Sequence, residues 1–136
     1  MKATCKFSNL SQIPSAESIV KIKKYISLPD GELDIKAGKE YVVYGIEFRD
    51  NHPWLYICLD AYEEYPVAIA ADFFEISDNR LSKHWKLCFQ NIHNKQRTRL
   101  VFEEWALDSD FYEKLVDSEP MTIATFAKYR ELIDRE

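Results

Sequence analysis

The chain of 136 residues is the size of one domain, and a hydrophobic content of 46 % suffices for one core at that length. Charged residues at 30 % and aromatics at 14 % exclude a disordered chain, and three glycines leave little for a glycine-rich phosphate cradle. A net charge of −5 makes a weak electrostatic footprint for nucleic acid.

In chain order, Ala3–Ser8 alternates weakly and predicts a short first strand, and Ser11–Ser15 with Pro14 reads as a loop. Ser18–Leu28 keeps a period of two through Val20, Ile22 and Ile26, while Ala16, Ile19, Val20 and Ile26 also fit a helical face. Its β-branched content favours a strand. Pro29-Asp30-Gly31 and Ala37-Gly38-Lys39 are turns. Glu40–Phe48, apolar on both faces, predicts a central strand, in which Gly45 marks a bulge or a close backbone approach. Arg49–Pro53 connects it to a strand at Trp54–Asp60. The loop Ala61–Pro66, a strand at Val67–Ala70, a single helical turn at Asp72–Phe74 and a closing strand at Glu75–Asp78 follow. Lys83–Glu103 reads as a long hairpin. The last third changes to helical spacing, with one helix capped by Asp108 or Ser109 and a second carrying Pro120 in its first turn.

The chemistry-bearing residues are scattered. Cys5, Cys58 and Cys88 are far apart and odd in number, without the paired spacing of a zinc site, and read as buried reduced thiols. His52, His84 and His93 fall in turns or polar positions and read as exposed. Cys58 with His52 or His84 is the only nucleophile–base combination on offer, and a thiol between Ile57 and Leu59 is set in surroundings that raise its pKa. Glu63-Glu64 and Glu103-Glu104 are sequence neighbours, which a strand sends to opposite faces. Asp50, Asp60, Asp72 and Asp78 lack calcium-loop spacing. No catalytic residue, metal or cofactor is expected. The first ten residues hold no apolar run of signal-peptide length, and the longest apolar stretches, such as Val67–Ala71, fall far short of a membrane span. A cytoplasmic protein without a membrane partner is expected.

Charge is unevenly laid out. Residues 80–100 carry six cations and no acid, and residues 101–136 carry ten acids against four cations. Two binding readings follow. In the first, a protein partner is held by an aromatic–acidic surface made of Tyr62, Glu63, Glu64 and Tyr65 together with Trp54, since tyrosines anchor at low entropic cost; the same loop can instead simply pack on the C-terminal helices. In the second, the basic 80–99 segment binds nucleic acid through Lys86, Arg97 and Arg99, with Trp85 and Phe89 to stack bases.

The order of elements from Leu33 to Asp78 resembles an SH3-like barrel. The glycine turn at Gly38, the Tyr/Val strand Tyr41–Ile46, the aromatic-led strand Trp54–Leu59, the run Ala70-Ala71-Asp72-Phe73-Phe74 and the closing Glu75-Ile76 carry the likeness. The continuation, with Trp85, Glu104-Trp105, Phe111-Tyr112-Glu113 and Tyr129–Asp134, is similar to small uncharacterised bacterial proteins that append two helices to such a barrel. Some immunity proteins, which block a toxin domain, share this size and acidity. The resemblance implies an α+β fold, a small antiparallel barrel followed by a hairpin and two C-terminal helices. It implies one domain over 1–136, with a barrel core at 33–78 and a helical extension at 108–134. It further implies a non-catalytic protein-binding role with a basic toxin domain as partner, and a groove in which Tyr41 or Tyr44 stands with Trp54.

Overall fold

The strand expected over Glu40–Phe48 is two strands, because the chain changes partner in its middle. The structure, a computed structural model, describes residues 1–136, the side chain of Ile92 excepted. In it β1 (Lys2–Cys5) pairs with β2 (Glu40–Val42), whereas β3 (Gly45–Arg49) pairs with β4 (His52–Ile57) and with β8 (Lys95–Phe102). At the switch the Val43 N–H donates to the Met1 carbonyl (3.1 Å) and the Tyr44 N–H to the Tyr56 carbonyl (2.8 Å). Gly45 stands where β8 comes closest: a Cβ there would lie 3.0 Å from Val101 Cγ1 and 3.4 Å from the Leu100 carbonyl oxygen. The close approach expected of this glycine is what the fold uses.

Two antiparallel sheets result. One has the order β2–β1–β6, with β6 at Phe74–Asp78. The other runs β5–β4–β3–β8–β7, with β5 at Val67–Ala70 and β7 at Trp85–Ile92. A 3-10 turn at Ala71–Phe73 carries the chain from β5 in one sheet to β6 in the other, where a single helical turn was expected. The sheets are not closed into a barrel. β1 also lies outside the 33–78 core, and within 33–78 no strand precedes Glu40. The tight hairpin turns carry positive φ at Asp50 and Asn51 and at His93 and Asn94, residue types that tolerate the left-handed region.

Ala16–Lys23 is a helix, α1, and the strand read over Ser18–Leu28 is corrected. Ser15 Oγ accepts the Ser18 N–H at 3.2 Å, and Glu17 and Lys21 form an i,i+4 pair at 3.6 Å. These local devices outweigh β-branched propensity once Ile22 packs into the core. At the other end the hairpin stops at Phe102 and the chain enters a helix the sequence did not disclose, α2 (Glu103–Leu107). Next come α3 (Phe111–Val116), preceded by Asp110 rather than Asp108 or Ser109, and α4 (Pro120–Asp134), with Pro120 as its first residue.

Aromatic packing fastens these helices to the large sheet. Trp105 of α2 lies edge-on to Tyr56 of β4 (4.7 Å between centroids), and Tyr112 of α3 stacks on Trp105 at 5.9 Å. Tyr129 of α4 stacks on Phe102 at 4.1 Å, and Tyr44 meets Phe126 at 5.6 Å. Pairs of this kind contribute about 0.5–1.5 kcal/mol each beyond their buried area. Among the described residues no helix is long and apolar enough to cross a membrane.

Candidate functional site

Two places gather polar chemistry. The first is an open cleft of about 900 Å3 at the turn end of the large sheet, walled by Tyr25, Arg49, Asp50, Lys95 and Arg97. Glu47, on β3, contributes a carboxylate from a residue only 2 % exposed. Its Oε1 accepts from Arg97 Nε (2.6 Å), and its Oε2 from Arg49 Nε (3.0 Å) and the Tyr56 hydroxyl (3.0 Å). Burial alone would raise the Glu47 carboxyl, but the two guanidiniums outweigh it and hold it below the ordinary range. Arg49 is further fixed over the Trp54 ring at 4.6 Å. A carboxylate saturated by three donors and kept ionised is suited to locking strands together, not to proton transfer.

The second is the loop from Ala61 to Pro66, which two helices hold in place. Arg130 of α4 donates to the carbonyls of Glu63 (2.6 Å) and Asp60 (3.2 Å), and the Tyr112 hydroxyl of α3 donates to that of Pro66 (2.8 Å). Within the loop the Tyr62 N–H bonds Asp60 Oδ1 at 2.7 Å. The loop does pack on the C-terminal helices, and in doing so it presents Tyr62 at 93 % exposure with Glu64 exposed beside it; Glu63 and Tyr65 are half-buried. Burial of the Tyr112 phenol pushes its pKa up to about 12, so it remains a donor.

The remaining expected residues fall elsewhere. Trp54 is 1 % exposed under Tyr25 and Arg49 and has no surface to offer a partner. Tyr41 and Tyr44 are buried as well: the Tyr41 hydroxyl accepts the Lys36 N–H (3.0 Å), and Tyr44 donates to Asp134 Oδ1 (2.6 Å), so the groove implied by the SH3 likeness is not formed by these rings. Of the basic strip, Lys86 is exposed, Arg97 is committed to Glu47, and Arg99 is 1 % exposed, donating to Gln90 Oε1 (3.1 Å) and Cys88 Sγ (3.6 Å). The register sets Lys86, Arg97 and Arg99 on one face of the hairpin, but with Arg99 buried and Arg97 paired to Glu47 these three do not form one basic surface.

The histidines are less exposed than their neighbours in sequence suggested. His52 is half-buried against the Asp72 carboxylate, and His84 is half-buried beside the Tyr129 ring; His93 is exposed. All three cysteines are buried and free. Burial pushes the Cys58 thiol up to about 12, the opposite of what a nucleophile needs. Among the described residues no three His, Cys, Asp or Glu side chains gather as ligands of a metal ion.

Sequence reasoning missed Arg130 and Tyr112, which make the loop rigid from positions 46 and more residues away. It also passed over Glu47. A carboxylate between Ile46 and Phe48 in an apolar strand was a readable signal, because a buried charge has to be paired. Comparison with known protein families, curated proteins and solved structures finds no match.

Proposed function

We propose that the chain is a non-catalytic protein-binding module on an SH3-like barrel, and that it contacts its partner through the Ala61–Pro66 loop and the acidic helices beneath it. The barrel reading draws support from the order β1, bent β2–β3, β4, β5, 3-10 turn, β6, in which one bent strand serves both sheets. The observation that carries the binding reading is Tyr62, an almost fully exposed aromatic on a loop whose backbone is clamped by Arg130 and Tyr112. An anchor fixed before binding loses little entropy on docking.

The surroundings set the sign of the partner. Residues 101–136 carry ten acids against four cations. Of those cations Lys114 is paired with Asp108 (2.8 Å), Arg135 with Glu131 (2.5 Å), and Arg130 serves the loop. A negative surface draws a basic partner and speeds its encounter. Blocking of a basic toxin domain is the form of this role that the sequence resemblance implies.

The test is affinity capture with the intact chain, identification of the retained protein, and calorimetric titration of that protein after purification. Tyr62→Ala is expected to weaken binding by about tenfold or more at unchanged melting temperature, and added salt to weaken it further. Absence of any basic partner at micromolar concentration, or wild-type affinity retained by both Tyr62→Ala and Glu64→Lys, overturns the reading.

A further inference from the structure

β7 is the outer strand of the five-stranded sheet, bonded to β8 alone. Its register runs unbroken from Trp85 opposite Phe102 to Ile92 opposite Lys95, with no bulge and no proline. Side chains alternate along it. Cys88 Sγ and Gln90 Nε2 turn to one face, where both donate to the Ala106 carbonyl of α2 at 3.3 and 3.4 Å. Leu87 and Phe89 turn to the other face and are 72 % and 64 % exposed. Across the sheet Leu87 is in line with Leu100 and Ile46, and Phe89 with Thr98 and the exposed Phe48, so an apolar row and a second row with Thr98 between two phenylalanines run out to the edge.

Monomeric proteins protect such edges with charge, proline, bulges or short strands. Here the strand is eight residues long and carries a single charge, Lys86. Its own sequence is the complement it lacks. In an antiparallel pairing about a twofold axis at Cys88, Leu87 of each copy stands opposite Phe89 of the other, and Lys86 stands opposite Gln90, so no like charges meet. Moving the axis to Leu87 sets Phe89 against the buried Trp85, and moving it to Phe89 sets Leu87 against Asn91. Within the hairpin Arg97, a possible source of repulsion between copies, is neutralised by Glu47.

We propose that the chain dimerises by joining β7 to β7 of a second copy about Cys88, which merges the two large sheets into one. The proposal uses neither Tyr62 nor the acidic helices, so it stands or falls apart from the partner-binding reading.

Sedimentation velocity on the intact chain from micromolar to millimolar concentration is the first measurement, and a reversible monomer–dimer equilibrium is expected. The doubly substituted Leu87→Lys/Phe89→Lys chain, altered only at exposed side chains, is expected to sediment as a monomer with an unchanged far-ultraviolet dichroism spectrum. Amide hydrogen exchange supplies a readout independent of the variants: β7 amides are expected to slow by about tenfold or more as the wild-type concentration rises into the dimer range. A monomer at millimolar concentration, a dimer that survives both lysines, or β7 exchange indifferent to dimer formation overturns it.

Discussion

Glu47 shows what one residue can be asked to do inside a sheet. Its carboxylate joins β3 to β8 through Arg97, to β4 through Tyr56, and back to its own strand through Arg49. Because its folded pKa is depressed below the ordinary 4.5, its contribution to stability is fully present above that value and is lost as pH falls through the lower folded value. Glu47→Gln removes the charge but keeps the shape. With Arg49 and Arg97 still partly solvated, the expected loss at neutral pH is about 2 kcal/mol. Denaturant titrations from pH 7 downward check the sign: the gap between wild type and Glu47→Gln should close as the wild-type carboxyl protonates. A gap independent of pH would mean that shape, not charge, is what the sheet requires. The candidate contact residues were legible at this scale only in part. A loop of two tyrosines and two acids could be read off, but which tyrosine faces solvent is decided by Arg130 and Tyr112, far along the chain. Trp54 and Arg99 failed as surface residues for the same reason, since the elements that cover them are remote in sequence.

Among the elements, those set by local pattern were legible and those set by remote partners were not. Val67–Ala70 is a strand with the expected bounds, and Pro120 opens a helix where expected. The break inside Glu40–Phe48 depends on β1 arriving from the far end of the chain, and no local pattern encodes it. The α1 helix is the instructive failure, because its signals were present: Ser15 as a cap and the Glu17–Lys21 pair, set against Ile19, Val20 and Ile22. Two substitutions separate helix from strand there. Ser15→Ala removes the cap and should cost about 1 kcal/mol. Val20→Ala, at a position 60 % exposed, should stabilise by roughly 0.5 kcal/mol in a helix, whereas in a strand it would destabilise. Melting temperatures of both variants are the check, and a Val20→Ala chain that melts lower would contradict the helix.

For the whole molecule the question is whether the terminal helices are an appendage or part of one cooperative unit. The expectation of a helical extension at 108–134 treats them as added to a finished core. The packing makes them structural. Trp105 is completely buried against Tyr56 and Phe102, Phe111 packs edge-on to Phe102, and Tyr129 stacks on the same ring. Removing the helices would uncover these sheet aromatics together. The three tryptophans lie in different parts of this arrangement: Trp54 in β4, Trp85 in the edge strand β7, and Trp105 in α2. Trp85 is itself tied back to the bent strand, donating from Nε1 to the Tyr44 carbonyl at 3.1 Å. Three chains that each keep one tryptophan, the other two replaced by Phe, would report sheet centre, sheet edge and helices separately. If the aromatic cluster couples them, the fluorescence transition of each chain should coincide with its own far-ultraviolet dichroism transition in denaturant, in all three chains. A Trp105 fluorescence transition that precedes the dichroism transition would instead mean that the helices leave first, and that the sheets hold without them.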